Sequence, residues 1–274
     1  PVYDDLTNRL YWIDILGKKL IYLDISTGVE TIIETPDMIS SLCVIDEKRV
    51  IATIMHSFYI IDIEKKKFEK IAEVKEEKQN TRFNDGKCDP LGRYWAGTMD
   101  MKEKEPIGAL YKLDLDKKIY KILEGLTISN GLAWSLDNKK LYLIDSPPKK
   151  VYQMDFNLEK GTVENRRVAL DLTQEQGVPD GMTIDEEGML WIAHHGGGKV
   201  TRWDPEKGKK LEEIKLPVTY VTSVTFGGTD LKDLYITTRS HDPQTGGLVN
   251  EPLAGKLFRE RVGIRGAKLY RFKL

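Results

Sequence analysis

The chain has 274 residues, of which 42 are basic and 43 acidic, so its formal net charge is −1 at neutral pH. This balance excludes the basic surface excess typical of nucleic-acid-binding proteins, and no apolar run is long enough for a transmembrane helix. The two cysteines exclude a disulfide framework and a four-thiolate zinc site. A hydrophobic fraction of 40% is typical of a globular protein with a sizeable core.

Short runs rich in aromatic and β-branched residues recur along the whole chain and predict β-strands. The six runs occupy residues 10–14, 49–53, 93–97, 141–145, 190–193 and 234–237. Their central residues are Trp12, Ile51, Trp95, Tyr142, Trp191 and Tyr235, which are spaced by 39 to 49 residues. No segment shows a helical period of apolar residues. The repeat predicts an all-β fold, a single six-bladed β-propeller domain over residues 1–274 with four-stranded antiparallel blades around a central channel. A β-sandwich or a barrel is the alternative.

Polar residues recur 11 or 12 positions before these central residues. Asn130 and Asp180 are each followed by glycine, Asn84 is followed by Asp85 and Gly86, and the matching positions elsewhere hold Ser40 and Ser223. Equivalent positions of a propeller form a ring, so we expect these side chains to converge at one mouth of the channel. Their oxygen donors suit Ca²⁺, Mg²⁺ or Mn²⁺ better than a thiolate-bound metal. The alternative is that Asn-Gly and Asp-Gly are only turn signals.

In the first repeat the matching position falls at Pro1 or just before it. A proline side chain cannot bind a metal. We therefore expect a further ligand, and native N-terminal residues, upstream of Pro1. The alternative is a version of the site that lacks this ligand.

Five segments resemble the family that contains regucalcin (senescence marker protein), the gluconolactonases and the luciferin-regenerating enzyme. They are residues 82–87, 92–99, 129–135, 179–182 and 222–228. The resemblance covers essentially the whole chain. It implies a six-bladed propeller that binds one divalent cation, with Ca²⁺ favoured over Mg²⁺, Mn²⁺ or Zn²⁺, and that hydrolyses sugar lactones.

The resemblance also implies roles for individual residues. Asn130 and Asp180 correspond to two metal ligands of the family, whose third ligand, a glutamate, would directly precede the equivalent of Pro1. Arg82 and Asn84 correspond to substrate-binding residues, and Asp85 lies beside them.

Glu103 is a candidate for a further substrate contact, because some relatives place a glutamate in the loop after the equivalent of Met99. Asp100 and Glu105, in the same loop, are equally well explained as solvated charges.

These implications combine into a metal-dependent, gluconolactonase-like hydrolase in which Asp180 is both a metal ligand and the general base. The expected partner is a small sugar lactone, with no nucleic acid and no membrane, and we expect a cytoplasmic monomer. Three alternatives stay open: a protein-binding propeller, a calcium-binding regulatory propeller without catalysis, and an esterase or organophosphate hydrolase on the same scaffold.

Overall fold

The computed structural model describes all 274 residues and consists of 23 β-strands joined by turns and loops. None of its elements is a helix, so it has no apolar helix that would cross a membrane. The strands form six sheets, five with four strands and one with three. Six successive antiparallel sheets confirm the predicted all-β, six-bladed propeller, in which each sheet is one blade.

The first three blades contain twelve strands, which follow one another in sequence. Blade 1 comprises β1 (Val2–Asp4), β2 (Arg9–Asp14), β3 (Lys19–Asp24) and β4 (Val29–Glu34). Blade 2 comprises β5 (Ile39–Val44), β6 (Arg49–Ile54), β7 (Ser57–Asp62) and β8 (Lys67–Glu73). Blade 3 comprises β9 (Thr81–Cys88), β10 (Tyr94–Asp100), β11 (Gly108–Leu113) and β12 (Ile119–Leu126).

The last three blades contain the other eleven strands. Blade 4 comprises β13 (Ser129–Trp134), β14 (Lys140–Asp145), β15 (Lys150–Asn157) and β16 (Thr162–Asp171). Blade 5 comprises β17 (Val178–Ile184), β18 (Leu190–His195), β19 (Lys199–Asp204) and β20 (Lys209–Lys215). Blade 6 comprises β21 (Val221–Gly227), β22 (Asp233–Thr238) and β23 (Phe258–Arg261).

The chain divides into two compact units. The first comprises Val2–Asn130, Phe156–Val163 and Leu269–Leu274, and the second comprises Pro1, Gly131–Asp155 and Glu164–Lys268. Blades 1 to 3 belong to the first unit, and blades 5 and 6 belong to the second.

Each recurring run of the sequence forms the second strand of a blade. Burial decreases across the blade, since β6 is buried at five of its six positions whereas β8 is exposed or half-buried throughout. Trp95 on β10 and Trp191 on β18 are fully buried. The aromatic residues that make the repeat visible therefore belong to the core, and the polar recurring positions lie one strand earlier.

Aromatic side chains hold each unit together. In the first unit the Phe83 ring packs edge-on against Phe58 and Tyr111, with centroid distances of 4.9 and 5.9 Å. In the second unit Trp191 packs edge-on against Phe226 at 5.8 Å. Edge-to-face pairs of this kind stabilise a core beyond the apolar area that they bury. Because Phe83 directly precedes Asn84, its burial also fixes the start of β9.

Candidate active site

A β-bulge at the start of β9 positions Asn84 and Asp85. Phe83 pairs with Thr98 and Gly86 pairs with Ala96, so β9 has one residue more than β10 between these two pairs. A bulge bends its strand and redirects the side chain at that point out of the regular alternation. The sequence motif around Asn84 therefore forms a β-bulge that contains two polar residues.

The same one-residue bulge recurs on the first strands of blades 2, 5 and 6. The ladder is interrupted directly after Ile39 on β5, Pro179 on β17 and Val221 on β21. We call the residue that directly follows the interruption the slot residue. The slot residues of blades 2, 3, 5 and 6 are Ser40, Asn84, Asp180 and Thr222.

This register supports the sequence count in blades 2, 3 and 5 and corrects it in blade 6. There the slot residue is Thr222, and Ser223 is already back in the ladder opposite Thr237. The correction is one residue long, because a count of 11 or 12 positions cannot tell on which side of a bulge a residue lies.

Asn130 and Asp180 lie within strands, so the interpretation of Asn-Gly and Asp-Gly as hairpin turns is wrong here. Gly181 follows Asp180 because of packing, since a Cβ at this position would overlap the Ser223 hydroxyl. Asn130 is 6% exposed, and Asp180 is half-buried. Asn130 belongs to the first unit, with Arg82, Asn84, Asp85 and Glu103, and Asp180 belongs to the second.

Arg82 and Asn84 form an ordered pair on β9. The Arg82 guanidinium donates through Nη1 to Asn84 Oδ1 at 3.0 Å and to the Phe83 carbonyl at 2.9 Å. Asn84 Nδ2 donates to the Ser129 carbonyl at 3.0 Å. The amide orientation of Asn84 is thereby fixed from both ends before any ligand arrives, and Ser129 directly precedes Asn130 along the chain.

Asp85 and Lys87 form a second polar pair on the same strand. Asp85 Oδ1 accepts a hydrogen bond from the Gly86 amide at 2.7 Å, while burial raises the pKa of this carboxyl group above its ordinary value. Burial lowers the pKa of Lys87, and the negative charge of Asp85 opposes that shift. Sequence reasoning missed Lys87, although its position two residues after Asp85 on a strand places both side chains on one face.

The loop after β10 is organised by Asp100, not by Glu103. Asp100 is 1% exposed and accepts hydrogen bonds of 3.0 to 3.1 Å from the amides of Lys102, Lys104 and Glu105. These bonds, chiefly that from Glu105, lower the pKa of Asp100. The interpretation of Asp100 as a solvated charge is therefore wrong. Glu103 lies on the exposed side of the turn with a φ of 59°, and its substrate contact stays a prediction.

The donor chemistry of the two candidate ligands fits a hard divalent cation. Asn130 offers a neutral amide oxygen and Asp180 a carboxylate, which are ligands of Ca²⁺, Mg²⁺ and Mn²⁺. Zn²⁺ prefers imidazole or thiolate, and neither candidate provides one. The structure contains no cluster of three or more His, Cys, Asp or Glu side chains suited to a metal.

Comparison with known proteins finds a matching family and similar relatives. The SMP-30/gluconolactonase/LRE-like region matches residues 1–240. YvrE of Bacillus subtilis, whose name refers to a sugar lactone lactonase, is 38% identical over 258 residues, which cover 94% of this chain and 88% of YvrE. Regucalcin of Bos taurus is 39% identical over 278 residues, with coverage of 98% and 92%.

Comparison with solved structures finds the same family of relatives. A regucalcin from Agrobacterium tumefaciens, described as a calcium-binding protein, superposes with a TM-score of 0.94 at 25% identity, over 100% of this chain and 92% of that one. The chain belongs to the SMP-30/gluconolactonase/LRE-like family.

Proposed function

We propose that the protein is a sugar lactone hydrolase that depends on one divalent cation. The bulge that recurs in four blades carries this proposal, because it presents one oxygen-bearing side chain at the same ladder position of each blade. The lactonase name of YvrE, a relative over nearly the whole chain, supports the same reaction class.

Arg82, Asn84 and Asp85 bind the sugar in this proposal. Arg82 and Asn84 are already oriented by their mutual hydrogen bond, so little conformational freedom is lost when they bind hydroxyl groups or the ring oxygen. Asp85 directly follows Asn84 in the bulge, and burial makes its carboxyl group easier to protonate. Glu103 is the candidate for an additional contact from the loop after β10.

Asn130 and Asp180 are each a candidate ligand of the cation in this proposal, as the family resemblance implies. When bound, Ca²⁺ or a similar ion supplies Lewis-acid polarisation of the lactone carbonyl. Asp180 accepts a proton from the water molecule whose oxygen adds to the carbonyl carbon. The ring C–O bond then breaks, the ring oxygen takes up the proton that Asp180 accepted, and the product is the open hydroxy acid.

A second candidate is a calcium-binding protein without catalysis, because the Agrobacterium relative is described by its calcium binding. The same scaffold also suits an esterase or organophosphate hydrolase, since fold alone does not select the reaction. Turnover separates these candidates.

The test is a substrate panel with purified protein and added Ca²⁺. It contains D-glucono-1,5-lactone and related aldonolactones, an aryl ester and an organophosphate triester, each corrected for spontaneous hydrolysis. We expect turnover of the aldonolactones to exceed that of the other two classes. Faster hydrolysis of the ester or the triester would replace the assignment, and Ca²⁺ binding without any turnover would favour the regulatory candidate.

A further inference from the structure

Ser40 is the slot residue of blade 2, and its hydroxyl group has no partner within the protein. The residue is 6% exposed, yet Ser40 Oγ makes no hydrogen bond. Buried polar atoms are nearly always hydrogen-bonded, and an exception in a native structure calls for an explanation. By contrast, Asn84, the slot residue of blade 3, is bonded at both its amide oxygen and its amide nitrogen.

The neighbouring serine shows what a structural hydroxyl looks like in this strand. Ser41 Oγ lies 2.6 Å from Thr53 Oγ1 and accepts a hydrogen bond of 2.8 Å from the Tyr94 hydroxyl. Ser41 therefore connects strands inside the core. Ser40, one residue earlier in the bulge, has the same chemistry and burial without such partners.

Backbone hydrogen bonds hold the Ser40 and Asn84 slots at one level of the first unit. The Met55 amide donates to the Met38 carbonyl at 3.1 Å, and the Phe83 amide donates to the Met55 carbonyl at 2.9 Å. Met38 lies two residues before Ser40, and Phe83 lies directly before Asn84. The backbone positions of Ser40 and Asn84 therefore lie at one level of the first unit, and the Ser40 Oγ at that level is buried.

We propose that the Ser40 hydroxyl is a substrate contact, which hydrogen-bonds to one hydroxyl group of the sugar lactone. This proposal rests on the proposed function. A serine hydroxyl donates one hydrogen bond and accepts others, which matches the double capacity of a sugar hydroxyl. The substrate would satisfy the buried Oγ that the protein leaves unbonded.

The experiment compares Ser40→Ala with the matched control Ser41→Ala and with Ser40→Thr. Threonine occupies the corresponding slot of blade 6 as Thr222, and Ser40→Thr keeps the hydroxyl group while adding one methyl group. Because loss of one neutral hydrogen bond to the substrate weakens binding, we expect Ser40→Ala to raise KM about three- to tenfold with kcat nearly unchanged. Ser40→Thr should restore most of the affinity. Ser41→Ala should lower the unfolding temperature and leave KM unchanged.

Monodeoxy aldonolactones give a readout that a structural role would not move. One member of the series should have the same KM with the wild type and with Ser40→Ala, because it lacks the hydroxyl that Ser40 contacts. An unchanged KM of Ser40→Ala for the parent lactone, with wild-type turnover intact, would overturn the Ser40 assignment alone.

Calorimetric titration of the aldonate product keeps the two proposals distinguishable. Product binding without wild-type turnover would defeat the lactonase proposal, and the affinity of Ser40→Ala for the aldonate would still decide the role of Ser40. An absence of both turnover and aldonate binding would overturn both.

Discussion

Blades 3 and 5 use one device to close the turn between their first two strands. Asp89 accepts a hydrogen bond from the Trp95 indole, and Asp185 accepts the same bond from Trp191, both at 2.9 Å. Both aspartates are fully buried, and each also accepts two backbone amides of its own turn. The tryptophans that reveal the repeat in the sequence are thus fixed by a buried charge.

In each blade an arginine neutralises the buried aspartate. The two blades differ in what the other N–H groups of that arginine bind. In blade 3, Arg93 binds Asp89 and then donates to the carbonyls of Leu158 and Glu159 at 2.6 and 3.2 Å, all within the first unit. Arg93 is only 3% exposed, so these carbonyls replace water around its charge.

In blade 5 the guanidinium belongs to Arg202 on β19 and stays within its own blade. It binds Asp185 at 2.8 Å and two further carboxylates, Glu187 at 2.7 Å and Glu212 at 2.9 Å. Asp89 is therefore the only carboxylate on its arginine, whereas Asp185 is one of three.

The slot residues of the two blades also differ in their functional group. Blade 3 carries a neutral amide, Asn84, held at both ends, and blade 5 carries a carboxylate, Asp180. Both blades share the turn and the bulge, and in the proposed function their slot side chains differ in role, substrate binding for Asn84 and proton transfer for Asp180.

The largest effect is expected from Asp180→Asn, which gives blade 5 the amide slot of blade 3. The proposed general base and one anionic ligand are lost, so kcat should fall by about a thousandfold. Asp171→Asn, which removes an exposed carboxylate, is the matched control and should keep wild-type turnover. Equal turnover of Asp180→Asn and wild type would remove Asp180 from the mechanism.

Asp89→Ala and Asp185→Ala test the difference between the two arginines. Asp89→Ala strands a buried guanidinium and should lower the free energy of unfolding by about 3–5 kcal/mol. Asp185→Ala should cost about half as much, because Glu187 and Glu212 still neutralise Arg202. Both variants lose one hydrogen bond from an indole and two from backbone amides of the turn. The difference between their free energies of unfolding, measured with urea, therefore reports the effect of the unpaired guanidinium charge. Equal losses would show that the extra carboxylates contribute nothing.

His194→Thr tests a titrating position of blade 5 against its counterpart in blade 3. His194 pairs with Pro179 where Thr98 pairs with Phe83. Burial, assisted by the charge of Lys199, lowers the pKa of His194 from 6.5 to about 4.

The folded state therefore excludes a proton that the unfolded state binds below pH 6.5. Stability conferred by neutral His194 is complete above pH 6.5 and is lost as the pH falls towards 4, by about 3 kcal/mol. His194→Thr should remove about half of this slope of the stability curve measured by urea unfolding, because burial also lowers the pKa of His195 to about 4. A curve of unchanged slope would mean that His194 does not resist protonation in the fold.

The smallest effect is expected from Arg82→Lys, which weakens the blade 3 slot. One ammonium group cannot reproduce the planar fork that binds Asn84 and the Phe83 carbonyl together. We expect KM for the lactone to rise about tenfold with a smaller change in kcat. Arg166→Lys is the surface control, and a drop in kcat alone would assign Arg82 to the chemical step.

The sequence revealed the blades because runs rich in aromatic and β-branched residues recur on the second strand of each blade, a pattern of local origin. It also indicated Asn84 and Asp180 as candidates, because each lies 11 residues before a buried tryptophan and within two residues of a glycine. It missed the bulges, since one extra residue is visible only against a partner strand. The count along the sequence therefore selected Ser223 instead of the slot residue Thr222. It also missed the burial of Asp100, which depends on three backbone amides of a folded loop.

The most direct test of the central proposal is the initial rate of D-glucono-1,5-lactone hydrolysis by chelator-treated protein before and after Ca²⁺ addition. Spontaneous hydrolysis is subtracted, and the Asp180→Asn variant is measured in parallel. We predict no enzymatic rate before addition, a rate restored by Ca²⁺ in the wild type, and no restoration in the variant. A rate that is independent of Ca²⁺, or restored equally in both proteins, would contradict the account.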